Sequence, residues 1–486
     1  MWLRRLHVTN LKRLRDFTLD LTRPDGSPRM WTVLIGRNGT GKTSLLQAAA
    51  LTAAGTVGAE GLIGNMRESL PDKRLEVRRG QRTTTVSPTE ATLSADFVFG
   101  PRGRNATREH PLKRPGDQFF YSEFDKMGEW LRSRLWVRAG SMVAGHADYV
   151  DDSAGSLEAP SERDRTRIPA ALRTSDNDPL VNARQEEEER RDAWFAVGYG
   201  VQRDLPGPER DYDEGGMRQS VRRLRPLFSP QRLIGPNFHD LLGTTALSRA
   251  YASLLKKVLL QTESLVPGIT DIELRGHGGV TKPSHLTESH RFEQTVKGKR
   301  LKLPARWLSH GYQSSLAWIA DLVGQLVLEA GASIPPEKME GLVLIDEIDL
   351  YLHPSWQVGL IQALRDTFPL LQFVATTHSP ILLSAFRRDE VVMLDFDEAG
   401  NVIHVPTPRD PRLLTGSELY ESFFGIDRLY PTDMGERLAR YVRLATDPYR
   451  SDQEQQKAEV LLNELKADDL DPGVPLAPRL EKRRTG

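Results

Sequence analysis

The chain has 486 residues, more than one hydrophobic core usually fills, so two or three lobes are expected. Apolar residues make up 38% and charged residues 27%, and 66 basic side chains cancel 66 acidic ones. Net charge therefore gives no global argument for nucleic acid, although a local basic patch stays open. The lack of cysteine excludes disulfides, thiolate zinc sites and cysteine nucleophiles, and fits a reducing compartment. No signal-peptide pattern and no run near 18 apolar residues is found, so a cytoplasmic chain without a membrane span is expected.

Strand patterns open the chain, over Trp2 to Val8 and Leu14 to Leu21. Trp31 to Ile35 is a compact apolar run, the pattern of a buried strand, and a Gly-rich loop follows it directly. A helix is predicted from Lys42, with Leu45, Leu46, Ala49 and Ala50 on its buried side. Strands are predicted again over 75–100, and 101–118 reads as a basic, Pro- and Gly-rich loop. Residues 146–192 are so charged that they read as a surface insertion or disordered segment. Trp194 to Tyr199 predicts a strand, 240–264 a helix, 269–304 a hairpin and 313–330 a strongly amphipathic helix. Strand, helix and strand follow at Leu342 to Ile345, Gln357 to Asp366 and Leu371 to Ala375. The region from 416 reads as helical, with a fraying Pro-rich, basic end.

Four segments carry chemistry. Gly36-Arg37-Asn38-Gly39-Thr40-Gly41-Lys42-Thr43, continued by Ser44, matches the full phosphate-loop pattern. Its glycines let backbone N–H groups wrap a phosphate, Lys42 can reach the β- and γ-phosphates, and the Thr43 hydroxyl can ligate Mg²⁺. Leu342 to Ile345 then leads into Asp346 and Glu347. Adjacent acids at a buried strand end suit one Mg²⁺-shell carboxylate, Asp346, and one that orients the attacking water, Glu347. His378 follows the next apolar strand and is placed to donate to a γ-phosphate. Ser309 and Gly311, opening the amphipathic helix, form either a second anion site or a plain N-cap.

In this order the four segments resemble the ATP-binding cassette (ABC) ATPases: Walker A at 36–43, signature at 308–313, Walker B at 342–347 and the switch histidine at 378. The Leu308-Ser-His-Gly-Tyr-Gln form, the stretch Ile348 to Pro354, Thr376-Thr-His-Ser-Pro and Val197 to Arg203 look like the RecF, Rad50, SMC and OLD-type branch. The resemblance implies an α/β fold: an ABC ATPase head, with a P-loop NTPase sheet, an antiparallel β subdomain and a helical signature lobe, plus a C-terminal helical extension. It implies ATP and Mg²⁺ as cofactors and a homodimer, or higher homo-oligomer, that sandwiches ATP. Ser309, Gly311, Tyr312 and Gln313 of one copy would then face the phosphates held by the other, with His353 in the D-loop at the same interface. Gln202 and Gln118 are both candidates for the Q-loop glutamine, a further Mg²⁺ ligand.

The expected divisions are 1–145 and 336–415 for the head lobe, 193–335 for the signature lobe, 146–192 for the insertion and 416–486 for the extension. No coiled-coil rod interrupts the head, and Asp395 and Asp397 read as a hairpin turn rather than a nuclease metal motif. Members of this shape resemble the ATPase subunits of bacterial anti-phage systems of the Septu, retron-associated and PARIS types, which implies a separate effector partner, often a nuclease. A RecF-like DNA-binding ATPase is the alternative. It would use basic clusters at Arg102, Arg104, Arg108, Lys113 and Arg114, or at Arg218, Arg222, Arg223 and Arg225. A transporter motor subunit fits the signature and the His353-Pro354 pair poorly.

Overall fold

The structure, a computed structural model, describes residues 1–63, 75–79, 82–86, 90–98, 130–138, 143–150, 194–205, 219–229, 231–233, 245–260, 269–273, 291–296, 298–308, 310–426, 432–468 and 470–479. The chain divides into two units, Met1–Leu413 and Leu414–Gly486.

The apolar runs with no polar alternation form the core of the first unit. β3 (Trp31–Gly36), β9 (Ala196–Tyr199), β15 (Gly341–Ile345) and β16 (Leu371–Thr376) are buried along their length, apart from the half-buried Gly36. Such strands belong in a parallel sheet covered on both faces. With β17 (Val391–Phe396) and β18 (Val402–Val405) they give the order β18-β17-β3-β16-β15-β9. All these pairings are parallel except β17 with β18. β9 thus lies beside the Walker B strand in the core sheet, not in the signature lobe where its sequence position had put it.

A second, antiparallel sheet has the order β2-β1-β6-β7-β8, from β1 (Trp2–Leu11), β2 (Leu14–Asp20), β6 (Glu90–Val98), β7 (Trp130–Arg138) and β8 (Val143–Val150). β8 takes residues 146–150 out of the predicted insertion; 151–193 lie outside the described residues. β4 (Leu75–Arg79) and β5 (Arg82–Val86) form a separate hairpin.

α1 (Lys42–Ile63) packs against strands of both sheets, which explains a sequence with no polar face. Leu45, Leu46, Ala48, Ala49, Ala50 and Leu51 are all buried, where the sequence predicted one buried side. Truncating any one of these three leucines to alanine would cost roughly 2–5 kcal/mol. The buried Gln372 amide also joins the sheets. Its Nε2 donates to the Leu3 and Arg29 carbonyls at 2.8 and 2.9 Å, and its Oε1 accepts from the Leu3 N–H at 2.6 Å.

The region expected as the signature lobe holds α3 (Thr245–Leu260), α4 (His310–Ala330) and a three-stranded sheet of β12 (Ile269–Glu273), β13 (Arg291–Val296) and β14 (Lys299–Pro304). β10 (Arg203–Asp204) pairs in parallel with β11 (Gln231–Arg232), and α2 (Gln219–Arg222) packs against α1. α5 (Pro354–Thr367) and the short α6 (Pro380–Leu383) are the remaining α-helices among the described residues of this unit.

The second unit contains α7 (Gly416–Phe424), α8 (Thr432–Thr446) and α9 (Asp452–Ala467). Tyr441, Leu444, Ala445, Ala458, Leu461 and Leu465 make its core. The following segment is strapped down as far as Arg479 rather than frayed. The Ala477 N–H donates to the Ala445 carbonyl (2.8 Å), Tyr441 Oη donates to the Val474 carbonyl (2.8 Å), and Arg479 pairs with Asp452 (2.6 Å).

Candidate nucleotide site

The loop 36–43, the acids Asp346 and Glu347, and His378 follow β3, β15 and β16, three adjacent parallel strands, so all lie at one carboxyl edge of the sheet, as the motif order leads one to expect. Gly36, Gly39 and Gly41 have φ of +150°, +85° and +82°. A Cβ at Gly36 would collide with the Leu394 carbonyl, so only glycine lets the loop turn there. Arg37, Asn38 and Gly39 are exposed at the loop tip, while Thr40 is buried and its hydroxyl donates to the Arg37 carbonyl at 2.8 Å. Ser44 is buried in the first turn of α1.

Lys42 is folded into the loop. Its Nζ donates to the Gly36 and Arg37 carbonyls at 2.7 and 3.2 Å. Burial lowers its pKa, and the nearby Asp346 and Glu347 partly offset that effect. A phosphate entering the loop would offer this ammonium charged oxygens in place of neutral carbonyls.

Thr43 Oγ1 donates to Asp346 Oδ2 at 2.8 Å, and Thr376 Oγ1 donates to Asp346 Oδ1 at 2.6 Å. The same Thr376 hydroxyl accepts from the Glu347 N–H at 2.7 Å. Glu347 is half-buried, with φ at +47°, a left-handed conformation that costs a non-glycine residue about 1–3 kcal/mol. A hydroxyl and a carboxylate this close form a hard-oxygen pair that fits Mg²⁺, an ion that keeps several waters and takes few protein ligands. Among the described residues no cluster of three or more His, Asp or Glu forms a metal cage.

His378 is exposed, directly after Thr377. The Thr377 hydroxyl donates to Asp349 and accepts from the Ser379 N–H (3.0 Å); Ser379 Oγ in turn donates to Gln357 on α5. Consecutive threonines thus tie the histidine turn to the segment following β15.

The residues expected as the signature gather around 351–356, the segment expected to hold the D-loop. The Gln313 side chain donates to the Leu308 carbonyl at 2.7 Å, and the Tyr312 ring stacks on Trp356 at 4.7 Å. The exposed His353 ring lies 5.3 Å from Trp356. A Cβ on Gly311 would sit 2.5 Å from the Tyr351 carbonyl, so the helix start and D-loop touch at backbone distance. Ser309 and Gln118 lie outside the described residues. Gln202 is exposed just after β9.

Other expectations change. Arg223 leaves the second basic cluster: it is buried, pairs with Glu329 at 2.9 Å and stacks over Phe195. Arg218 and the whole 102–114 cluster lie outside the described residues. The Asp397 carboxylate accepts from the N–H groups of Ala399 and Asn401, at 2.9 and 2.7 Å, as a hairpin turn requires.

Sequence reading missed Arg203. It is buried; Nε donates to the Gly200 carbonyl at 2.6 Å, and Nη2 donates to the carbonyls of Asp346 and, at 3.0 Å, Glu347. It closes the stretch Val197 to Arg203 on which the resemblance partly rests, but nothing in that stretch gave the arginine a role.

A family model described as AAA domain, with AbiEii toxin and Type IV TA system as further terms, matches residues 156–384, which include Walker B and the switch histidine. The chain is similar to the Septu protein PtuA of Bacillus mycoides (strain KBAB4), at 23% identity over 94% of this chain and 49% of that protein. It thus spans about half the length of that relative. It is also similar to the Retron Ec83 probable ATPase of Escherichia coli, at 23% identity over 98% of this chain and 86% of that protein. Among solved structures, an SMC head bound to the C-winged helix domain of ScpA aligns with 84% of this chain and 98% of its own, at 12% identity and a TM-score of 0.47.

Proposed function

We propose that the chain binds and hydrolyses ATP with Mg²⁺ as an ABC-type head, and that it serves anti-phage defence by regulating or scaffolding a separate effector, a nuclease in the first instance. The observation that carries the catalytic part is the Thr43–Asp346 hydrogen bond, which brings the P-loop and the acid pair together from remote parts of the chain. The relatives named for Septu and retron systems support the defence part.

The residues divide the work. The loop amides of 36–43 and Lys42 bind the phosphates. Thr43 and Asp346 would hold Mg²⁺, which when bound neutralises charge on the phosphate oxygens. Glu347 orients the attacking water and accepts its proton, and His378 donates to the γ-phosphate. Gly311, Tyr312, Gln313 and His353 lie beside one another at the start of α4 and in the D-loop, which supports a second half-site completed by another copy. A DNA-binding role would have to do without Arg223, which is buried against Glu329.

The test is phosphate release by the purified chain with Mg-ATP, beside phage plating on cells carrying the gene with its neighbours. Lys42→Ala is expected to abolish both turnover and protection. Protection by a variant that binds no nucleotide would refute the defence role of ATP.

A further inference from the structure

Hydrolysis depends on where the Glu347 carboxylate points, and β15 alone does not fix that. Glu347 stands two residues past the strand's last residue, Ile345, in a left-handed conformation. Such a turn persists only when its surroundings hold it. On one side, Thr376 accepts from the Glu347 N–H (2.7 Å), and the Ile348 N–H donates to the Thr376 carbonyl (3.0 Å). On the other side stands Arg203, whose guanidinium reaches the carbonyls of Asp346 and Glu347, one in each of the two peptides that flank the Glu347 Cα.

A buried guanidinium ordinarily sits on a carboxylate. The hydrogen bonds of Arg203 end instead on three main-chain carbonyls, of Gly200, Asp346 and Glu347. Burial pushes its pKa down to about 10, with Asp346 foremost among the acids that offset part of this, so it remains a cation at neutral pH. The segment that carries it is anchored as well. Tyr199 Oη donates to the buried Asp321 of α4 at 2.8 Å, and the Asp346 N–H donates to the Tyr199 carbonyl at 2.8 Å. Residues 199–203 therefore touch both the signature helix and the catalytic turn.

We propose that Arg203 is a positioning residue for ATP hydrolysis, clamping the Asp346–Glu347 turn so that Glu347 keeps its aim at the attacking water. This rests on the ATPase reading above. Lysine cannot replace it, because one ammonium on an unforked stem cannot hold several carbonyls in a fixed plane.

Arg203→Lys and Arg203→Met in the full chain test the proposal. For Arg203→Lys, kcat is expected to fall by roughly tenfold to a hundredfold, the scale of an ångström-sized misplacement, while the Kd for Mg-ATP stays within about threefold. In a Glu347→Gln background the same change should lower the residual rate by less than about twofold, because the group it aims is already gone. Amide hydrogen exchange over 346–350 should speed up while that over 36–43 does not. An unchanged kcat, losses that multiply in the Glu347→Gln background, or equal losses of binding and rate would each overturn the clamp. Arg203→Lys carries the test if Arg203→Met does not fold. A wild-type chain that binds Mg-ATP without releasing phosphate would sink the ATPase reading instead, and the exchange measurement would still decide whether Arg203 holds the turn.

Discussion

Thr43 and Asp346 are joined by a 2.8 Å hydrogen bond from the threonine hydroxyl to Oδ2, and Thr376 occupies the other carboxylate oxygen at 2.6 Å. Asp346 is thereby oriented from the first turn of α1 and from the end of β16. Thr376→Val keeps the shape but removes a donor to Asp346 and the acceptor for the Glu347 N–H. It should cost about 1–3 kcal/mol in urea unfolding and raise the Mg²⁺ concentration needed for half-maximal turnover. An unchanged Mg²⁺ titration would show that this hydroxyl does not set the site.

Gly311 touches the D-loop at backbone distance, so Gly311→Ala must push α4 away from Tyr351. The P-loop is untouched, and Mg-ATP binding should survive. ATP-dependent dimerisation, read by light scattering in a Glu347→Gln background, should be lost. A dimer that persists would mean that the signature does not face a second copy.

His7 predicts a pH response. Its ring nitrogens lie 2.9 and 3.2 Å from the Thr18 and Thr9 hydroxyls, and burial lowers its pKa below the usual 6.5, with Asp16 offsetting part of the shift. The folded state therefore takes up this proton at lower pH than the unfolded chain. The contribution to stability is complete above 6.5 and is lost as pH falls from there toward the folded value. His404 is shifted the same way, by burial and then by Arg29. The urea midpoint should fall between about pH 7.5 and about pH 5.5, and His7→Gln should flatten part of that slope.

Arg132 and Asp96 form a fully buried two-point pair, at 2.6 and 3.0 Å, between β7 and β6. Arg132→Met strands the carboxylate and should cost about 3–5 kcal/mol, whereas Arg132→Met with Asp96→Leu should recover much of the loss. Equal losses for the single and double variants would contradict this assignment.

The phosphate loop, the acid pair and His378 were legible because each is a contiguous motif at the end of an apolar run. The hairpin at Asp397 was legible from its turn residues. The burial of α1 on all sides was not, because apolar spacing along a helix cannot reveal a second sheet above it. The placement of β9 beside β15 depends on pairing across a long chain separation, which local pattern does not carry. Arg203 and Arg223 look like surface charge in sequence, and only their distant partners, the Glu347 backbone and Glu329, reveal them as interior.

The central claim is that Glu347 is the base of a Mg-ATPase, and steady-state phosphate release by Glu347→Gln beside the wild type tests it most directly. We expect turnover to fall on the order of a hundredfold to ten-thousandfold, with Mg-ATP affinity retained. Hydrolysis by Glu347→Gln at the wild-type rate would contradict the assignment.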